Sequence, residues 1–562
     1  MLDTATWDPV AAWRTLQRIP YDWRTVRKAI LEGRDFPSNH QCWLYRGSAA
    51  TVERDVFLLA GLSDGQQVFL QIGPGHDRHL LGEPLGAVQI KADEQLVAYS
   101  THAKEIARFC RRIHPAKGPR ALGTIPRLGI GTRMTTAVWP GIFKAMNRRG
   151  FAANAIQNSV RELNLLDNLR VGLPPEKNYA CGFGTIESGY TGSTYEGLWV
   201  AGVLAALQYE LPLCYGADAD HIQVKRGPEG MARAKRLISA ARYYSFFTLD
   251  MADVLDYGAL MDTSTSHAEE CLTRHIPEQR ERLGVLEYHG KTFRCGGKSY
   301  SLDRVAIGKF VGKYWNALAS LTELSDYIKT LKGADGFDLE LTIDEHPPEI
   351  SAFACLTSDE EILFLLREMR RREIVLTHIA PNFGVEKGVD YRCPDGLEGL
   401  EARIRPQFAI AKEFGVMLDF HSGDDLTAAP RRVIQRATQG WHHFKVSPML
   451  QLIFAEVLQE FYPALFKRWW QDAYEYAEAE ALQGSAFARQ CLEEHRSRKN
   501  PRPSRADAVF HHYSFAFPGR RNARGQFLHR HEFYRLAPAF YHACQERICD
   551  YLCRLAEDLF NS

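Results

Sequence analysis

The stretch DLELTIDE, residues 338–345, alternates without a break: Glu340, Thr342 and Asp344 fall on one face, Leu339, Leu341 and Ile343 on the other. Successive side chains of a strand point to opposite faces, so this segment reads as a strand with one apolar and one polar side. VMLDFHSGDD (416–425) repeats the arrangement, with Asp419 and His421 opposed to Leu418 and Phe420. The intervening chain carries helical spacing. Ser358 and Glu361 make an S-x-x-E capping box, followed by Ile362, Leu365, Leu366 and Met369 at the interval that lays one helix face on a sheet. A second helix carries Leu397, Leu400, Ile404, Phe408 and Ala411 and stops at Gly415, directly before a strand.

The same rhythm extends in both directions. Short apolar runs ending in polar residues occur at IPRLGIGT (125–132), AANAIQNS (152–159), LCYGADADH (213–221), SFFTLDM (245–251), IVLTHIAPN (374–382) and HHFKVSP (442–448), which with the two above makes eight. Strands alternating with helices predict a parallel α/β fold, and the count of eight predicts closure as a (β/α)8 TIM-type barrel over residues 121–450. Two connections, about 163–212 and 252–336, are longer than simple loops and are expected as insertions. The first contains CGFGTIESGYTGSTYEG, whose glycines, hydroxyls and tyrosines suit either a loop folding over a polar ligand or a structural excursion on the barrel wall. Residues 1–120 are expected to form an N-terminal α+β accessory domain, in which VFLLAGLSDGQQVFLQI reads as a hairpin turning at Asp64-Gly65. Residues 451–562 read as a helical C-terminal region packing on the barrel.

Bulk composition narrows the function. Of 562 residues, 45% are hydrophobic and 24% charged, and 69 basic residues balance 68 acidic ones. That balance gives no long-range attraction for nucleic acid or an anionic membrane. No basic segment followed by an apolar run opens the chain, and the twelve cysteines are scattered without a CxxC pair. A reduced, cytoplasmic protein is expected, and a homo-oligomer is compatible with it.

Barrels of this kind build their sites from the carboxyl ends of the strands. Gln157 and Glu162 follow the second run, Asp218, Asp220 and His221 end the third, Asp250 the fourth, Asp344 and Glu345 the fifth, and Asn382 the sixth. His421 and Asp424 end the seventh, and His443 and Lys445 lie on the eighth. Imidazoles and carboxylates gathered at one rim suit a divalent ion, Zn²⁺ or Mn²⁺. Taken singly, each has a plainer reading as a helix cap, a solvated turn or a buried ring; together, from several strands, they read as a site. IPRLGIGT lacks the HxH of amidohydrolases, and no P-loop, nucleophile elbow or zinc-ribbon spacing occurs.

RLGIGT, AIQNSVRE, GADADHIQVK, FFTLDMADV, LTIDE, GVEKGVDY, FHSGDD and HFKV, in this order, resemble the tagaturonate epimerase family across the barrel. The resemblance implies a metal-dependent enzyme interconverting D-tagaturonate and D-fructuronate. These keto acids differ at a carbinol β to the ketone, which simple enolisation cannot invert and retro-aldol cleavage with re-addition can. It implies Glu162 and Asp344 as the groups that take and return the carbinol proton. It implies His221, Glu345, His421 and His443 as metal ligands, with Asp344 and Glu345 exchangeable between the two roles. Gln157, Asn382 and Lys445 are then expected to bind substrate oxygens. The partner is a small sugar acid or ketose. The insertions lie where specificity loops belong, so a related ketose is an alternative substrate, and a metal-dependent sugar isomerase, an aldolase or a non-catalytic sugar-binding barrel are alternative functions.

Overall fold

A computed structural model describes residues 8–36, 41–63, 65–74, 80–132, 138–158, 195–262, 264–344, 351–386, 389–498, 502–520 and 528–560. The chain opens with two short helices, Pro9–Gln17 and Trp23–Leu31, each with an aspartate at its start accepting backbone N–H groups (Asp8 and Asp22). An antiparallel sheet follows: β1 (Cys42–Val52), β2 (Asp55–Leu62), β3 (Gln67–Gly73), β4 (Gly86–Lys91) and β5 (Glu94–Tyr99), in the order β1-β2-β3-β5-β4. The expected hairpin is β2–β3. Both strands are buried on both sides, and their alternation shows what each side meets. Val56, Leu58, Val68 and Leu70 pack under the two helices with Trp13 and Trp23, whereas Phe57, Leu59, Phe69 and Tyr99 join the barrel's own core.

The barrel strands are β6 (Arg127–Gly131), β7 (Ala152–Asn158), β8 (Tyr215–Gln223), β9 (Phe246–Asp250), β12 (Asp338–Thr342), β13 (His378–Ala380), β14 (Met417–Phe420) and β15 (His443–Val446). All pairings are parallel, and β9 closes onto β12. A small hairpin, β10 (Phe293–Cys295) and β11 (Lys298–Tyr300), sits in the connection after β9. Each of the eight runs read from the sequence supplies one strand. The capping box at Ser358–Glu361 is formed, and Gly415 takes a φ of +70°, the left-handed turn that ends the helix before β14.

The wall helices differ in one respect from the expectation. Tyr195–Gln208 and Arg304–Lys332, inside the stretches read as insertions, are the wall helices after β7 and β9. The eighth wall helix is Pro538–Phe560, at the far end of the chain, which packs between Val138–Arg149 and Ala428–Thr438. Phe540, Cys544, Ile548, Leu552, Leu555 and Leu559 make its buried stripe, and Arg148–Asp550 (3.0 Å) and Arg431–Asp558 (3.1 Å) tie it to its neighbours. The barrel therefore does not end near residue 450. The helical segment from Pro448 to Ala537 is an excursion between the eighth strand and its helix, leaving from the face where the strands end. Among the described residues no helix is long and apolar enough to cross a membrane.

Candidate functional site

Four levels of side chains fill the barrel. At the floor, Arg127 of β6 and Asp338 of β12 form a buried ion pair of 3.0 Å. Above it lie Phe246, His378 and His443, whose rings meet edge to face with centroids 4.8–5.5 Å apart, with Asp419 Oδ2 2.8 Å from His443 Nδ1. The guanidinium of Arg127 and the ammonium of Lys445 each lie within 6 Å of the Phe246 ring, at 5.7 and 5.4 Å.

The third level centres on Lys445. Its Nζ donates to Glu340 (2.6 Å), Thr248 (2.8 Å) and Asp220 (2.9 Å), and lies 3.2 Å from Asp218. Burial opposes the ammonium, but the carboxylates of Asp218, Asp220 and Glu340 outweigh it and hold the lysine well above its ordinary range. Burial also pushes Asp218 up to about 7, against the pull of Lys445. Glu340 stays well below the usual range in spite of burial, held by Lys445 and His421.

Two local distortions make the upper level. β8 bulges between Ala219 and Ile222 against β9, and His221 takes a φ of +51°. The extra residue lets consecutive side chains, Asp220 and His221, both face inward where a regular strand would send one outward. A second irregularity in β7 brings Gln157 inward on the same side as Asn154. Gly129 permits the close packing over β6: a Cβ there would press on Gln157 Oε1 and lie 2.7 Å from His443 Nε2 and 2.8 Å from Lys445 Cγ.

At the top His221, Asp344 and His421 offer ligand atoms all within 4.8 Å of one another. His421 donates through Nε2–H to Glu340 Oε1 (2.7 Å), so its Nδ1 is turned to Asp344 Oδ2 at 3.2 Å. His221 contacts Asp220 Oδ1 through Nδ1 at 3.0 Å. Each imidazole is thus oriented by its own carboxylate, the arrangement that fixes the tautomer of a metal-binding histidine. A separation of 3.2 Å is also what two donors about 2.1 Å from a common ion require. Asp344 and Glu340 raise His421 to about 10 in spite of burial, so a positive charge is favoured at this point. The donor set fits a divalent cation.

The expected residues are distributed as follows. His221, Asp344 and His421 come together at the rim. His443 lies two levels lower, at the start of β15, in a separate group with His378 and Asp419, and does not reach the rim set. Gln157 donates to Asp220 (3.3 Å), and Lys445 is engaged beneath the rim. Asn382 ties two loops together, donating to the carbonyls of Ala352 (3.0 Å) and Cys355 (3.1 Å) in the connection after β12 and accepting from the Gly384 N–H (2.8 Å) in its own loop, so its amide hydrogens are engaged within the protein. Asp424 caps the helix Pro448–Phe461, accepting from Ser447 and Met449 N–H. Glu162 and Glu345 lie outside the described residues. Glu340, Asp419 and His378 were not singled out from the sequence, although Glu340 shares the polar face of DLELTIDE.

The family described as tagaturonate epimerase matches residues 45–483. The chain belongs to this family. Membership makes it a carbohydrate epimerase, an enzyme of the isomerase class. The fold agrees: the crystal structure of fructuronate-tagaturonate epimerase from Cohnella laeviribosi with two glycerols superposes with a TM-score of 0.67 at 20% identity, over 96% of this chain and 99% of that one. The native crystal structure of the same epimerase gives 0.66 at 20% identity, over 95% and 99%. No curated protein matches the chain.

Proposed function

We propose that this tagaturonate epimerase family member interconverts keto-uronates, D-tagaturonate and D-fructuronate or a closely related ketose acid, by retro-aldol cleavage and re-addition at a divalent cation. The observation that supports this most is the rim set His221, Asp344 and His421, with Asp220 and Glu340 behind the two imidazoles. When bound, a Zn²⁺ or Mn²⁺ ion supplies Lewis-acid stabilisation of negative charge developing at the ketone.

Asp344, first expected to move a proton, is assigned here to holding the cation, because its Oδ2 stands 3.2 Å from the ring nitrogen of His421. Glu345, next along the chain, then takes the proton role, paired with Glu162. One carboxylate accepts the carbinol proton as the carbon–carbon bond breaks. The aldehyde fragment turns, and the other acid returns a proton to its oxygen after the bond re-forms on the opposite face. Lys445 and Asp220 do not touch the substrate in this scheme; they fix Glu340 and His221, and through them the rim. Gln157, close to Asp220, remains the proposed contact for a substrate hydroxyl.

Incubation with tagaturonate, fructuronate, tagatose and fructose, with products read by ¹³C NMR, tests the proposal. Interconversion of the two keto-uronates that stops on chelation is the expected result. Cleavage fragments without epimer, or no turnover of any of the four, would refute it.

A further inference from the structure

Of the residues that the resemblance placed around one ion, His221 and His421 meet at the rim, whereas His443 belongs to a second group at a lower level. The lower group is His378 of β13, Asp419 of β14 and His443 of β15, on three adjacent strands, with ligand atoms all within 4.8 Å of one another. All three are buried, with no more than 1% of their surface exposed. Nε2 of His378, Oδ1 of Asp419 and Nε2 of His443 have no hydrogen-bond partner among the described residues. Buried polar atoms are normally satisfied, and three unsatisfied ones on one cluster call for a ligand, an ion or water. His378 Nδ1 is already held by the Thr377 hydroxyl at 2.8 Å, so Nε2 is the atom it has to offer.

In the barrel below the rim, the carboxyl groups of Asp218, Asp220, Asp338, Glu340 and Asp419 gather around Arg127 and Lys445, with His421 against Glu340. Two imidazoles and a carboxylate suit a borderline-soft ion such as Zn²⁺. We propose that His378, Asp419 and His443 bind a second divalent ion inside the barrel, distinct from the rim ion and not in contact with substrate. It would brace β13, β14 and β15 beneath the catalytic level.

The proposal stands apart from the rim assignment, and its test separates the two. Metal-stripped full-length protein is loaded with excess Zn²⁺, desalted and assayed for bound zinc by mass spectrometry. The expected content is two ions per chain in the wild type, one in His221→Ala and one in His378→Gln. Loss of one ion in His378→Gln should also lower the thermal midpoint, whereas His221→Ala should keep the stabilisation by Zn²⁺ that the inner site provides. Should His378→Gln fail to fold, anomalous scattering from zinc-loaded wild-type crystals replaces it, with a peak expected among His378, Asp419 and His443. A single ion per chain that His221→Ala loses and His378→Gln retains, two ions retained in His378→Gln, or water density in place of that peak would overturn the inner site, whatever is found at the rim.

Discussion

Replacing Lys445 by methionine keeps the length of the side chain and removes its charge. Its Nζ lies within 3.2 Å of Asp218, Asp220 and Glu340, so three buried carboxyl groups lose the cation they share. Removing one partner of a buried ion pair costs about 3–5 kcal/mol, a large share of the roughly 5–15 kcal/mol that holds an ordinary domain together. The cost depends on pH because the stranded acids can take up protons. Asp218 is raised to about 7 even with Lys445 present, against an ordinary value of about 3.9 in the unfolded chain. Between those values the folded chain holds the extra proton, so this group makes stability fall as pH rises through that window, with the loss complete above about 7. Without the lysine the folded-state value moves higher still, and the loss continues into alkaline solution. Thermal unfolding of Lys445→Met against wild type should show a lower midpoint at both pH 5 and pH 8, and a clearly larger deficit at pH 8. Adding Glu340→Gln to Lys445→Met should recover part of it, because one stranded charge is gone. An equal deficit at the two pH values, or none, would refute the electrostatic reasoning.

Gly129→Ala places a methyl group against Gln157, His443 and Lys445; an overpacking cost of about 1–3 kcal/mol is expected, seen as a lower unfolding midpoint and reduced kcat. Glu340→Gln loosens the 2.7 Å support of His421 and should weaken rim-ion binding by about 10–100-fold, measured by competition with a chromophoric chelator. Deleting residues 538–562 removes the eighth wall helix and uncovers the apolar surface under Ile548 and Leu552, so the truncated chain should aggregate, while a separate peptide of those residues should restore some soluble protein.

Much of the barrel was legible because parity and burial agree. In DLELTIDE and VMLDFHSGDD the apolar face meets helices and the polar face meets the interior, and the other six strands were legible as short apolar runs ending in polar residues. What parity cannot show is depth. HHFKVSP does not mark which of its residues reaches the rim, and His443 turned out to open β15 while Lys445 sits two residues nearer the top. Nor does alternation foresee a bulge: Asp220 and His221 should have faced opposite ways, and both face in because the strand carries an extra residue there. Glu340 lies mid-strand, below the rim residues that a strand-end reading picks out, yet it is the shared partner of His421, Lys445 and Thr248. The last helix had a readable stripe from Phe540 to Leu559, but nothing in its own residues announces that its partners are nearly 400 residues earlier, at Val138–Arg149.

The rim cluster is tested most directly by titrating the metal-stripped enzyme with Mn²⁺ or Zn²⁺ while following keto-uronate epimerisation by NMR, in the wild type and in His221→Ala and His421→Ala. Activity in the wild type should rise from background in step with ion binding at the rim, and both variants should lose high-affinity rim binding and turnover together. Full-rate epimerisation by thoroughly stripped wild-type enzyme, or by either variant, would contradict the account.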